Sequence, residues 1–404
     1  MKTAVVIGAG NIGRGFIGAA FASSGYEVVF VDVDENLVNE INSRGGYPVR
    51  ILLPDGSNTE TIISGVRAVS GRDTGAAAAE IAKARICATA VGVRALPLIA
   101  SELALGLALR TKQDMPPLNI IVCENMIDAG QILRGYIKEV VPGGLESRVD
   151  LSTGYPEAVI GRMVPIQTEE MKDGDPLRIC VEKYAFLPVD KSAFRGTIPE
   201  IEGMVPLDDF EYYVKRKLFI HNLGHAAVAY LGLLKGYEYI ADAIEDADIL
   251  YMASSAIRES AAALNCENPG DKANLNRNID SLIYRFSNKA LGDTCARVAA
   301  DPARKLGNKD RIIGALLNCQ NLGLPVVYIS AIAAAAALVL EKESTEKGSI
   351  SNLIEVTGLA SESQALKLIM TLGTKCAKEA IHGGDAVAAL RRAAVKDAGD
   401  ITIL

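Results

Sequence analysis

Close cysteine pairs are missing from this chain of 404 residues. Its seven cysteines stand singly at 87, 123, 180, 266, 295, 319 and 376. That excludes a disulfide framework or a zinc knuckle and suits a reducing compartment, so a cytoplasmic home is expected. Long hydrophobic runs are missing as well. The longest, "ISAIAAAAALVL" at 329–340, is too short to span a bilayer and reads as a buried, alanine-rich helix. The opening "MKTAVVIGAG" runs straight into a strand, so no signal peptide is expected. Positive charge is not in excess either. A net charge of −7 gives no support to nucleic-acid or membrane-surface partners. Histidine is scarce, at three residues. His221 and His225 have the i, i+4 spacing of a zinc helix, but Asn222 stands where H-E-x-x-H needs glutamate, so no metal is expected.

What is there is a globular composition, 49% hydrophobic and 23% charged, in a chain long enough for two or three domains. "TAVVIG" (3–8), "EVVFVDV" (27–33), "RICATAV" (85–91) and "LNIIVCEN" (118–125) are short β-branched runs. Helix-compatible stretches at 13–23, 35–44 and 75–84 separate them, the rhythm of a parallel sheet covered on both faces. "AVIGRMVP" (158–165) and "LRICVEKYAFLPVD" (177–190) also look strand-like and are expected to extend that sheet. From about residue 206 the pattern turns helical. The chain is therefore divided into an α/β domain at 1–195 and an α-helical domain at 196–404.

Gly8, Gly10 and Gly13 have G-x-G-x-x-G spacing directly after the first strand and at the start of a helix. In that context the glycines serve the tight turn, the close approach of a pyrophosphate and helix–strand packing. The helix N-terminus supplies free N–H groups for phosphate. Asp32 ends the next strand, where a carboxylate hydrogen-bonds both ribose hydroxyls of NAD and repels the 2′-phosphate of NADP. A Rossmann-type doubly wound domain binding NAD through Gly8, Gly10, Asn11, Ile12, Gly13 and Asp32 is expected. Ala90 and Val91 follow one strand and Asn125 another, at the carboxyl ends where ligands collect. Asp34 is the weaker ribose partner. Arg14 either lies along the pyrophosphate or is an exposed helix residue.

In "KLFIHNLGHAAVAYLGLL" (217–234), polar groups interrupt an otherwise apolar helix. At about 100° per residue, Lys217, Asn222 and His225 stand near 0°, 140° and 80°, one arc of the rod. One reading has Lys217 snorkelling and His225 as a core histidine. In the other, a desolvated lysine of lowered pKa exchanges a proton with an alcohol or ketone. Asn222 and Asn125 then hold the developing alkoxide, and His225 binds substrate hydroxyls or orients the lysine. Tyr213 completes Y-x-x-x-K with Lys217, but it falls beyond the sheet and reads as a packed aromatic.

This K-x-x-x-x-N-x-x-H arrangement resembles the signature of the polyol-specific long-chain dehydrogenases/reductases. "GAGNIGRGFIG" (8–18), "TAVG" (89–92), "LNIIVCENM" (118–126), "VDKSAFRG" (189–196) and "KLGNKDR" (305–311) carry the resemblance through most of the chain. It implies metal-independent hydride transfer between NAD and a sugar alcohol. Lys217 would be the acid/base, Asn125 and Asn222 would stabilise the alkoxide, and His225 would contact substrate. Two positions depart from the family pattern. Gly161 stands where an acidic residue is expected near the substrate, and Val326 where histidine is.

Arg297, Arg304 and Lys305 form a basic run in an acidic chain, expected to bind a phosphate on the substrate. The alternatives are a solvated helix face paired with Asp293, Asp301 and Asp310, a hexuronate or free-polyol reductase of the same family, or a regulatory protein that binds NAD without turnover. The expected partner is a small sugar phosphate, and the expected assembly a monomer or small homo-oligomer.

Overall fold

The computed structural model describes residues 2–343 and 350–398. Two compact units divide the chain: residues 1–53 with 57–213, and residues 54–56 with 214–404.

The first unit is a Rossmann-type α/β fold. Its strands are β1 (Lys2–Ile7), β2 (Tyr26–Asp32), β3 (Gly46–Leu52), β4 (Asn58–Ser64), β5 (Val66–Ser70), β6 (Ile86–Thr89), β7 (Leu118–Val122), β8 (Thr153–Gly154), β9 (Ile179–Glu182), β10 (Leu187–Asp190) and β11 (Met204–Leu207). Six of them make a parallel sheet in the order β5-β2-β1-β6-β7-β8. In order of use along the chain that is 3-2-1-4-5-6, the doubly wound arrangement whose strand order reverses beside β1. The central strands are buried on both faces, so they read as continuous runs rather than alternating ones. Val6, Val28 and Phe30 pack on one side, with Phe16, Ile17 and Phe21. Val5, Val29 and Ile120 pack on the other, with Ile81, Leu103 and Leu107.

The four long strand assignments hold to within a few residues. The expected extension of the sheet does not. Residues 159–168 carry no strand, and only Glu157 and Ala158 make isolated bridges, to Val122 and Val189. The 177–190 segment breaks into two strands in other sheets: β9 pairs with β3 beside the β3–β4 hairpin, and β10 pairs with β11. The break at 183–186 carries Tyr184 and Phe186, with ring centroids 6.4 Å apart. A continuous apolar pattern cannot say which sheet a strand will join.

The second unit is helical. Its longer helices are Leu223–Lys235, Ala247–Glu267, Lys272–Phe286, Val327–Glu343, Gln364–Ile381 and Ala386–Ala398. Small residues set their spacing. A Cβ on Gly224 would come within 2.6 Å of Ile257 Cδ1, and one on Gly232 within 2.7 Å of Cys295 Sγ. Ala331 and Ala333–Ala336 are fully buried, so the alanine-rich run is core. Among the described residues no helix is long and apolar enough to cross a membrane.

Candidate active site

In the first unit the glycine loop is held by backbone contacts. Gly8 has φ +96°, and a Cβ there would lie 2.5 Å from the Ala90 carbonyl oxygen. A Cβ on Gly13 would lie 1.9 Å from the Gly8 carbonyl oxygen. A side chain at either position would break the turn. Gly10 differs, because a Cβ there meets nothing within 4 Å, and Asn11 beside it is exposed. Gly8, Gly13 and Ala90 therefore shape the loop, while Gly10, Asn11 and the half-buried Ile12 form its open side.

Asp32 at the end of β2 accepts from Ala9 N at 2.7 Å and from Asp34 N at 3.0 Å. A carboxylate offers about four lone-pair sites, so both contacts leave room for ribose hydroxyls. Asp34 instead caps the helix Glu35–Arg44, accepting from Asn36 N and Leu37 N. This duty is worth about 1 kcal/mol and accounts for the residue without a ligand. Arg14 fits neither expectation. It is buried, donating to the carbonyls of Ala9 at 2.7 Å and Leu177 at 2.6 Å, and so ties the glycine loop to the β9 segment.

One residue at this site had no sequence signal. Glu124, buried after β7, accepts from Val91 N at 3.0 Å and Gly92 N at 2.8 Å. It fixes the loop after β6, which carries Ala90 and Val91. Asn125 follows it and is exposed. Gly161 packs under the Tyr184 ring, 3.1 Å from Cε1 to a built Cβ, so the departure there is filled by an aromatic.

The expected single helix, which begins at the end of the first unit and continues into the second, is continuous in backbone but not uniform. Phe210–Arg216 and Leu223–Lys235 are α-helical, and Lys217–Asn222 between them is a π-helix. A π turn closes on i→i+5, so residues five apart stack instead of standing about 140° apart. Lys217 and Asn222 are the two ends of that turn. Such wide turns are rare and occur often at functional sites.

Lys217 is half-buried. Burial, reinforced by the positive charge of Arg311 and opposed by Asp310, pushes its ammonium down to about 8. Asn222 is buried. His221 is held well below its ordinary value by burial, with Arg285, His225, Lys217 and Arg311 adding to the effect. His225 stacks on Phe286, with centroids 5.0 Å apart and planes 15° apart. Its Nε2 lies 3.0 Å from Asp293 Oδ2. Tyr213 packs among Tyr212 and Phe186, as a structural aromatic would. Among the described residues no group of three or more metal-ligating side chains comes together.

The basic run divides. Arg297 is exposed and pairs with Asp293, and Arg304 is exposed and pairs with Asp301 and Asp310. Lys305 corrects the expectation: it is buried, and its ammonium donates to the carbonyls of Val298 and Ala300. Turned inward, it is withdrawn from any anion at the surface. The guanidiniums whose charge reaches Lys217 and His221 are Arg285 and Arg311, which sequence reasoning passed over.

Comparison with known proteins agrees with this division. Residues 2–203 match the Mannitol dehydrogenase Rossmann domain and residues 209–378 the Mannitol dehydrogenase C-terminal domain. A protein of Brevibacillus brevis named mannitol-1-phosphate 5-dehydrogenase is 38% identical over 84% of this chain and 86% of its own. One of the same name from Bacillus licheniformis is 37% identical over 91% of this chain and 98% of its own. Among solved structures, a D-sorbitol dehydrogenase has a TM-score of 0.76 at 17% identity, covering 95% of this chain and 94% of its own. A mannitol 2-dehydrogenase of Pseudomonas fluorescens, solved with NAD and D-mannitol, has a TM-score of 0.65 at 15% identity, covering 100% and 92%. At those identities the structures speak for the fold, and the family rests on the sequence matches. The chain belongs to the mannitol dehydrogenase family.

Proposed function

We propose that this protein is an NAD-dependent oxidoreductase interconverting a sugar-alcohol phosphate and a ketose phosphate, mannitol 1-phosphate and fructose 6-phosphate, with lysine as acid/base and no metal. The observation that carries the reading is Lys217, a desolvated lysine near 8 in a π turn that it shares with Asn222. The relatives' name supplies mannitol 1-phosphate and the position oxidised, and a carbonyl at that carbon makes fructose 6-phosphate.

The residues of the first unit fit a dinucleotide. Gly10, Asn11 and Ile12 leave the loop open to a pyrophosphate, Asp32 suits a 2′-hydroxyl, and Ala90 and Val91 sit on a loop that Glu124 fixes. When bound, NAD supplies the acceptor and donor of hydride. Lys217 Nζ, neutral above about 8, takes the proton from the substrate hydroxyl during oxidation. During reduction its protonated form returns that proton to the carbonyl oxygen. The amide N–H groups of Asn222 stabilise the charge that develops on that oxygen. His225 contacts a neighbouring substrate hydroxyl.

The positive field of Arg285 and Arg311 around Lys217 and His221 favours an anionic substrate. Arg297 and Arg304 are candidates to grip its phosphate, exchanging a carboxylate for phosphate oxygens. That both already hold carboxylates favours the second reading, a free polyol or hexuronate. The test follows loss of NADH absorbance with fructose 6-phosphate, fructose, fructuronate and tagaturonate in turn. Fructose 6-phosphate is expected to lead fructose by at least about 4 kcal/mol in kcat/KM, because a pocket built for an anion is left with unpaired charge without it. Equal use of the two sugars would overturn the phosphate reading. Tight NADH binding with no turnover on any of the four would favour the regulatory one.

A further inference from the structure

Asp293 lies 68 residues beyond His225, and its two carboxylate oxygens serve two different side chains. Oδ1 accepts from Arg297 Nε at 2.8 Å and Nη2 at 2.5 Å, while Oδ2 lies 3.0 Å from His225 Nε2. That nitrogen is sealed from solvent. It has no aligned hydrogen-bond partner among the described residues, so the Asp293 oxygen, at bonding distance but off the N–H line, is its electrostatic partner. Phe286, stacked on the imidazole at 5.0 Å, keeps the ring from turning away. Burial would raise the Asp293 carboxyl, but His225 and Arg297 outweigh it and hold the group below the usual carboxylate range. The residue therefore stays an anion at neutral pH.

An ionised carboxylate can only accept. A neutral imidazole facing one is stable with its proton on the facing nitrogen, which leaves the other nitrogen as an acceptor. We infer that Asp293 is a positioning residue that holds His225 in the Nε2–H tautomer, so that Nδ1 reads a substrate hydroxyl by accepting its hydrogen bond. The inference deepens the proposed function and rests on its placing His225 against the substrate. It also gives Arg297 a role that competes with phosphate binding, which would then fall to Arg304. By occupying Oδ1, Arg297 fixes which oxygen is left for the histidine.

The variant Asp293→Asn separates this from mere packing. Arg297 keeps the amide oxygen, the –NH2 turns toward Nε2, and Nε2 must become the acceptor. The proton moves to Nδ1, and the ring now donates where it formerly accepted. With only three histidines in the chain, nitrogen NMR of histidine-labelled full-length protein, assigned with His221→Asn and His382→Gln, reads the tautomer directly. The wild type should show Nε2–H at His225 at neutral pH, and Asp293→Asn should show Nδ1–H. KM for fructose 6-phosphate should rise about tenfold or more, with kcat changed less and NADH affinity unchanged. A wild-type Nδ1–H tautomer would overturn the inference, as would a swapped tautomer with an unaltered KM. The wild-type spectrum needs no turnover and no folded Asp293 variant, so it decides the tautomer even where the polyol-phosphate reading fails on the substrate panel.

Discussion

The glycine loop of the first unit is made of backbone, and the lysine helix of the second is made of side chains. In the loop, Gly8 and Gly13 leave room for carbonyl oxygens, and the carboxylates of Asp32 and Glu124 are directed at amide N–H groups. Almost any sequence with glycine at those positions could make such a turn. In the helix the chemistry depends on what stands opposite each side chain: Arg311 and Asp310 at Lys217, Phe286 and Asp293 at His225. The first kind of site tolerates no added volume at Gly8 or Gly13, and the second tolerates no change of charge or tautomer.

The largest effect should come from the side-chain site. Lys217→Met should cost about 3 kcal/mol or more of transition-state stabilisation, several hundredfold in kcat/KM, while NADH titration shows an unchanged cofactor affinity. Activity retained within about tenfold would assign the proton to another group and weaken the contrast. The backbone site should respond to volume alone. Gly13→Ala drives a methyl to within 1.9 Å of the Gly8 carbonyl and should lower stability by about 3 kcal/mol in urea unfolding. Gly10→Ala, with open space around it, should weaken NADH binding and leave the urea midpoint in place.

A smaller effect appears on titration. In its proposed role as acid/base, Lys217 would have to be protonated to reduce a ketone and neutral to oxidise an alcohol. The reduction kcat/KM should therefore be level below about 8 and fall above it, while oxidation rises up to about 8 and then levels. Each limb should change about tenfold per pH unit. Profiles of the same sign in both directions would remove the lysine from the proton path. Smallest is the cofactor choice. Asp32→Ala should narrow the preference for NAD over NADP by about 1 kcal/mol in kcat/KM, and a wild type that prefers NADP would refute the ribose role of Asp32.

The same contrast governs how much could be read from sequence. The glycine loop, the strand–helix rhythm and the two-part architecture were legible because they depend on neighbours within a few residues. Lys217, Asn222 and His225 stood out because they interrupt an apolar helix. Asp293 and Phe286 did not, since their importance arises only when chain 60 to 70 residues away folds against His225. Lys305 misled for the same reason: three basic residues in a row look alike until one is seen to face the carbonyls of Val298 and Ala300. The 158–165 segment failed differently: its apolar pattern looks like a strand, yet only Ala158 at its start is bridged, to Val189.

The π turn at Lys217–Asn222 has a bearing on chain length. A helix of fixed register can exchange a residue and keep every other side chain on its face. Here the alignment of Lys217 with Asn222 depends on how many residues the turn contains. Deleting one between them would let the segment relax into a regular α-helix with ordinary backbone bonding, in which Lys217 and Asn222 stand four apart at about 40° and everything beyond, His225 included, turns by only that much relative to the lysine. At this point in the chain the extra residue is what makes the wide turn, and a homologue with the same polar side chains but one residue fewer between Lys217 and Asn222 would keep them on nearly the same face of an ordinary helix.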